Sequence, residues 1–420
     1  MKGGFFMLYG STKIQLNDLT DTQRSDLRQL AELSRALYNC CTRQIIQHYE
    51  DTGRVLAYRE LKPLVCTSPE YKAIGGFYFQ ILLTAIADFK KYISTDSYAL
   101  RKSDDTLVVK NLDNFVPPHP KGGLRPIEIK APPREGEYLI LPATRQTAAV
   151  RLRLPACYQD RNICHIIVRP LHHVRYWEMT IEYTVQEIAH ADLDRSKALG
   201  IDLGVGNLAT CVTTEGDSFI LDGRRLKCIC QGYAKYQAKL RRVNHGSTDS
   251  RRLCSLYNRT KHRSLDYIRK SAAYIAGYCI QHRIGTVVLG WGVHFQHADL
   301  GMNNQLFSLF GFAQLKRRLT WQCSKHGIDL KVVDESYTSQ ASALDLDPIP
   351  DYVANTRYAF SGKRIKRGLY MSGDGITINA DLNGAINILR KGSFTPRFLR
   401  EEGRGIASPR RIDPLVCSAK

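Results

Sequence analysis

The segment Ala198-Leu199-Gly200-Ile201-Asp202-Leu203-Gly204-Val205-Gly206-Asn207 constrains this chain more than any other. It is an apolar strand with a carboxylate at its end and glycines after it. An aspartate there is costly unless it has a task. Beyond it the chain runs strand, hairpin, long helices, strand, helix, strand, helix, which is α/β order. The long helical stretch is expected over about Arg224 to Gln281, a strand over Thr286 to Leu289, a helix over about Gln305 to His326, and a strand over Asp329 to Asp334.

The chain before it reads differently. Leu27, Leu30, Leu33, Leu37, Cys41 and Ile45 recur at helical spacing, as do Tyr78, Ile81, Leu82, Ala85, Ile86 and Phe89. Lys13 to Leu16 is expected to be a short strand. Pro117, Pro118, Pro120, Pro126, Pro132 and Pro133 exclude long helices there. Val150, Leu152 and Leu154 alternate with Arg151 and Arg153. Trp177, Met179, Ile181, Tyr183 and Val185 alternate with Glu178, Thr180, Glu182 and Thr184. Period two with one polar face predicts antiparallel strands of a small β-barrel or sandwich. Asp192 to Lys197 reads as a polar linker, and Ser393 to Lys420 as a mobile basic tail.

Sixty Lys and Arg against 40 Asp and Glu leave a formal net charge of +20 over 420 residues. That balance favours an extended polyanion, and above all nucleic acid, as partner. No apolar run approaches the roughly 18 residues needed to span a bilayer, and the N-terminus lacks a signal-peptide pattern. A cytoplasmic, nucleoid-associated protein with no membrane partner is expected. The twelve cysteines contain no Cys-x2-Cys pair. Neither zinc nor disulfides are expected.

Three acidic positions stand in contexts suited to chemistry. Asp202 ends its strand. Glu335, in Val332-Val333-Asp334-Glu335-Ser336-Tyr337-Thr338, follows a strand end, where sites in open α/β sheets lie. Asp381, in Asn379-Ala380-Asp381-Leu382-Asn383-Gly384-Ala385-Ile386-Asn387-Ile388-Leu389, falls in the first turn of an amphipathic helix. Gly384 and Ala385 would let that helix lie close to another backbone. An aspartate like Asp202 serves RNase H-like nucleases, holding a divalent metal, and actin-like ATPases, contacting metal and phosphate. The ATPases usually carry Thr or Ser soon after Asp-x-Gly, where this chain has Val205-Gly206-Asn207.

Taken in order, Gly200-Ile-Asp-Leu-Gly-Val-Gly-Asn-Leu-Ala-Thr, Glu335-Ser-Tyr-Thr-Ser-Gln, Gly362-Lys-Arg-Ile-Lys-Arg-Gly and Asn379-Ala-Asp-Leu-Asn-Gly-Ala-Ile-Asn-Ile resemble the RuvC nuclease domain of TnpB proteins. These are the transposon-encoded ancestors of type V CRISPR effectors. The resemblance covers residues 198–391 and implies a multidomain α+β chain. A β-barrel wedge (1–20 and 106–191) would be interrupted by a helical recognition insertion (21–105). An RNase H-like (RuvC) α/β nuclease domain (195–391) would come next, carrying a long helical insertion at 224–283, and then a basic flexible tail (392–420). It implies a guide RNA, a double-stranded DNA target and Mg²⁺.

Two departures matter. Gly290 stands where the family's second acidic ligand is usual, in Thr286-Val287-Val288-Leu289-Gly290-Trp291. No ribbon cysteine comes after Thr338-Ser339-Gln340, where many members have a zinc ribbon. The neighbouring strand end offers Glu335 as a replacement, with Asp334 in reserve. Relocation is favoured over inactivation, because Asp202 and Asp381 keep strong local contexts. Asp202, Glu335 and Asp381 are then the expected catalytic and metal ligands, around two Mg²⁺ ions about 3.5–4 Å apart. Arg151, Arg153, Arg241, Arg242, Lys316, Arg317, Arg318, Lys363, Arg364, Lys366 and Arg367 are the expected nucleic-acid contacts, the last four in a loop replacing the ribbon. The expected function is RNA-guided, Mg-dependent DNA cleavage next to a short adjacent motif. A compact type V CRISPR effector, a nuclease-dead RNA-guided repressor and an actin-like ATPase stay open as alternatives.

Overall fold

Thr20 begins the first long helix, α1 (Asp21–Thr52), with a reciprocal cap. The Gln23 amide donates to Thr20 Oγ1 at 3.2 Å, and the Thr20 amide to Gln23 Oε1 at 2.9 Å. Gly53 ends α1 in the left-handed conformation at φ 67°. In this computed structural model the described residues are 8–75, 78–94, 124–172, 174–188, 190, 192–243, 250–292, 311–353, 356–366, 368–399 and 409–416. The chain divides into two compact units, Tyr9–Val185 and Gln186 onwards, the latter grouped with Met1–Leu8.

In the first unit α1 packs against α2 (Tyr58–Val65), α3 (Pro69–Ile74) and α4 (Tyr78–Ser94). Leu27, Leu30, Leu37, Tyr38, Cys41 and Ile45 of α1 are buried, as their spacing predicts. The strands are β1 (Leu8–Leu16), β2 (Ile127–Lys130), β3 (Arg134–Glu135), β4 (Tyr138–Leu141), β5 (Val150–Arg153), β6 (Ile163–Leu171) and β7 (Tyr176–Val185). Among the described residues they pair as two separate sheets, ordered β1-β7-β6-β2 and β3-β4-β5. Strand β5 alternates as predicted, with Val150 and Leu152 in the core and Arg151 and Arg153 exposed. Strand β7 does not. Glu178 and Thr180, expected on a polar face, are buried, and Glu178 is neutralised by Lys13 at 3.6 Å and Arg169 at 3.4 Å. The proline-rich reading over Pro117, Pro118 and Pro120 lies outside the described residues.

The second unit is built on a six-stranded mixed sheet ordered β12-β11-β8-β9-β10-β16. Its strands are β8 (Asp194–Leu203), β9 (Asn207–Thr213), β10 (Ser218–Asp222), β11 (Ile284–Gly290), β12 (Asp329–Val333) and β16 (Arg410–Ile412). Strands β8, β9 and β10 form an antiparallel meander, and β11 runs parallel to both β8 and β12. Every residue of β11 is buried, as a parallel strand covered on both faces requires. The helices are α5 (Arg224–Val243), α6 (Arg251–Gln281), α7 (Phe312–Lys325) and α8 (Ala380–Lys391). Leu199, Ile201 and Leu289 join one core with residues of α5, α6 and α7; Ala198, Val212 and Val288 join another with α8. A small antiparallel sheet, β13 (Lys363–Lys366), β14 (Leu369–Met371) and β15 (Thr377–Asn379), leads into α8.

Three expectations change here. The polar linker is shorter than Asp192–Lys197, because β8 already begins at Asp194, whose carboxylate accepts from the Ser196 amide at 2.8 Å. The tail is not wholly mobile: Arg410–Ile412 pairs parallel with β10 and buries Ile412. Lys363, Arg364 and Lys366 lie on a strand, not in a loop, paired with β14. Among the described residues, no helix is long and apolar enough to cross a membrane.

Candidate active site

Side chains alternate along β8, so Ala198, Gly200 and Asp202 share the face that α8 covers. Gly200 is what lets α8 close in. A Cβ there would stand 2.5 Å from Leu389 Cγ and 2.6 Å from the Ala385 carbonyl. Two residues on, Asp202 meets the one glycine of α8, Gly384. A Cβ on Gly384 would lie 2.8 Å from Asp202 Oδ2. The expected close approach at Gly384 is thus an approach to the carboxylate itself.

Asp381 is delivered by the N-terminus of α8. Asn379 caps the helix, its Oδ1 accepting from the Asp381 and Leu382 amides at 3.0 and 3.1 Å. The Asp381 carboxylate accepts from Asn207 Nδ2 at 2.6 Å and pairs with Arg364 Nη2 at 3.5 Å.

Glu335 lies two residues beyond β12, in a segment that α8 holds by buried amides. Asn387 Nδ2 donates to the carbonyls of Thr338, at 2.9 Å, and Ala341, at 2.7 Å. Asn383 donates to the Ala341 carbonyl at 2.8 Å and accepts from the Ala343 amide at 2.9 Å. Neither asparagine is exposed. Arg390 extends the clamp to Asn387 Oδ1 and the Asp347 carbonyl. The Glu335 carboxylate fills the space beside Gly292, where any side chain would collide with it. At Gly290, the position of the missing ligand, a side chain would collide with Ile388. Strand β11 therefore carries no acid at its end, and the carboxylate beside that end comes from the segment after β12.

Asp202 feels both other acids. Burial, then the charges of Asp381 and Glu335, hold the Asp202 carboxyl well above its ordinary range, against the opposing pull of Arg364. Burial first, and then Asp334, push Glu335 up to about 7. Asp334 is raised by burial, but hydrogen bonds from Ser336 and the charge of Lys391 outweigh this and hold it low. The reserve ligand is thus already engaged, with Lys391 at 3.8 Å. Carboxylates of this kind are hard donors suited to Mg²⁺, and the slot beside Gly384 admits Asp202 where a larger residue would fill it. Donor type and room therefore fit a divalent ion. Among the described residues, no group of three or more His, Cys, Asp or Glu side chains is already arranged to hold a metal ion. Arg364 supplies positive charge there instead.

The expected basic contacts scatter. Arg364 pairs with Asp381. Lys363 and Lys366 flank it on the same exposed strand. Arg367 lies outside the described residues. Lys316 stacks on the Trp291 ring at 4.4 Å, just past the end of β11. Arg317 is exposed beside Gln314, and Arg318 is half-buried on the same helix. Arg241 and Arg242 are exposed in the last turn of α5. In the first unit, Arg151 and Arg153 pair with Glu135 and Glu137 at 3.4 and 3.2 Å. Sequence reasoning missed Asn207, Asn383, Asn387 and Gly292. A signal existed for two of them: asparagines four residues apart on an apolar helix face.

Two family models match this second unit. The model described as "Probable transposase" (OrfB_IS605) matches residues 180–293, and "Cas12f1-like, TNB domain" matches residues 312–388. The TnpB-like protein ORF457 of Acidianus two-tailed virus is 22% identical over 209 residues, which is 47% of this chain and 42% of that protein. The chain thus spans under half the length of this curated relative. A solved Cas12f1-sgRNA-target DNA complex contains a chain 14% identical, covered to 82% by 87% of this chain, with TM-score 0.53. That likeness is one of fold. A structure of the mini-RNA-guided endonuclease CRISPR-Cas_phi3 aligns over 96% of this chain and 94% of its own at 9% identity and TM-score 0.45.

Proposed function

The chain belongs to the TnpB family, and from that premise we propose that it is an RNA-guided DNA endonuclease whose acidic centre is Asp202, Glu335 and Asp381. The observation that carries this reading is the Glu335 carboxylate beside Gly292, with Asp202 sensing both other acids. The second unit would be the RNase H-like (RuvC) nuclease domain. The first would be the barrel wedge with its helical insertion, gripping the guide–target heteroduplex through backbone phosphates. Guide RNA and double-stranded DNA are the partners, in keeping with the solved Cas12f1-sgRNA-target DNA complex.

Asp202, Glu335 and Asp381 would hold Mg²⁺, which when bound offsets their repulsion and activates water for attack on a phosphodiester. This chain's own residues do the rest. Asn207 fixes the orientation of Asp381. Asn383 and Asn387 hold the turn that carries Glu335. Arg364, on an exposed strand, stands where a phosphate of the cut strand could exchange for Asp381. A second reading is favoured by Gly290, which stands where the family's second acidic ligand is usual: an RNA-guided DNA binder that does not cut.

The full chain purified with its RNA, sequenced, and given a duplex matching that RNA tests both. Cutting in Mg²⁺, abolished by EDTA, supports the nuclease. Tight target binding without cutting supports the binder. Absence of any enriched RNA overturns both.

A further inference from the structure

Three aromatic rings meet close behind Glu335, and the chemistry described so far leaves them unused. Tyr337 packs edge-on against Tyr358, centroids 5.1 Å apart and planes at 72°. Phe360 lies 6.1 Å from Tyr337. The backbone of Tyr337 is left-handed, at φ 62°, a conformation that a Cβ disfavours. Glycine would make that turn without strain, so a ring is what tyrosine adds there. The turn is pinned, since the Gln340 and Ala341 amides donate to the Tyr337 carbonyl and Thr338 donates to that of Glu335.

The cluster is open to solvent on one side. Tyr358 is 36% exposed, and its neighbour Arg357 is exposed too. From Phe360 the chain runs through Ser361 and Gly362 into β13, with Lys363, Arg364 and Lys366 all exposed. Tyr370 of the adjoining β14 ties this sheet to the turn by donating to the Gln340 carbonyl at 2.7 Å. Arg364 reaches Asp381. A partly exposed aromatic ring, a pinned backing and a row of cations leading to the acids match what an unpaired nucleotide strand requires.

We propose that Tyr358, backed by Tyr337 and Phe360, is a stacking platform for an unpaired nucleobase of the DNA strand presented to Asp202, Glu335 and Asp381. The proposal rests on the reading of those acids as a DNA-cutting centre. The stacked base fixes the position of its strand while β13 holds the phosphates.

The test uses the full chain and short single-stranded DNA carrying 2-aminopurine, alongside strands of equal length with an abasic run. The wild type quenches the 2-aminopurine on binding and prefers the intact strand. Tyr358→Ala loses most of the quench and binds the intact strand about tenfold more weakly, with abasic binding unchanged. Tyr358→Trp restores both. Tyr337→Gly keeps the turn, removes the backing ring and reduces the quench. Equal wild-type affinity for intact and abasic strands overturns the platform, as does an unaltered preference in Tyr358→Ala. None of these readouts needs catalysis. A wild type that quenches yet never cuts in Mg²⁺ keeps the platform and overturns the nuclease reading alone.

Discussion

The two faces of the six-stranded sheet have opposite designs. One presents Leu199, Ile201 and Leu289 to helices α5, α6 and α7, and is dry and filled by large side chains. The other packs Val212 and Val288 against Leu382, Ile386, Ile388 and Leu389 of α8, but also presents Ala198, Gly200, Asp202, Gly290 and Gly292 toward α8 and the Glu335 turn, setting small residues, a carboxylate and buried amides beside that core. The first face supplies stability in the ordinary way. The second gives up side chains at Gly200 and Gly290 so that α8 can lie against bare backbone and bring Asp381 and the Glu335 turn to Asp202. A single sheet thus separates what holds the unit together from what would act on DNA.

Substitutions should separate the faces, beginning with the largest effect. On the acidic face, Asp202→Asn or Asp381→Asn should lower guide-dependent cleavage by at least about 10³-fold while leaving target binding intact, as gel-shift and cleavage time courses would show. On the apolar face, Ile201→Ala should cost about 2–5 kcal/mol of unfolding free energy in a denaturant titration. Its cleavage per folded molecule should stay unchanged. If it instead abolishes cutting at full stability, the division is wrong.

Asn387→Ala strips the Thr338 carbonyl of its side-chain donor and the Ala341 carbonyl of one of two, and should cost about 1–3 kcal/mol. It should also slow cleavage, since the Glu335 turn is what it anchors. Replacing Gly290 with Glu in a Glu335→Gln background should not restore cutting. The new side chain collides with Ile388 and should cost about 1–3 kcal/mol by overpacking.

The smallest effect has a pH signature. The Glu335 carboxyl titrates near 7 in the fold against 4.5 ordinarily. Its protonated form is the one the fold favours. That contribution is complete below about pH 4.5 and is lost as pH rises through 7. Without divalent ions, Glu335→Gln should therefore stabilise the fold at pH 8 by about 1 kcal/mol, raising the melting temperature by roughly 2–4 °C, and do so much less at pH 5. An equal shift at both pH values would mean that the carboxylate is not held against its own charge.

Periodicity was enough to place α1, α4, β5, α7 and β11, because each buries one regular stripe or a continuous run. It failed at β7, where Glu178 is neutralised by residues distant in sequence, and at β16, whose three residues carry too little pattern to announce a strand. Of the proposed site, Asp202, Glu335 and Asp381 stood out as candidates because carboxylates in apolar segments are conspicuous. Gly292 was not, since its role is to leave room for a side chain more than forty residues away. Asn383 and Asn387 went unremarked in the sequence, and only their long-range carbonyl partners give them a purpose.

The relocated glutamate is the claim on which everything else turns. Guide-loaded wild type and Glu335→Gln, compared on one matched duplex in Mg²⁺ at equal target occupancy, test it directly. Both should bind, and only the wild type should cut. Equal cutting by the two would contradict the relocation and return the second acidic ligand to some other residue.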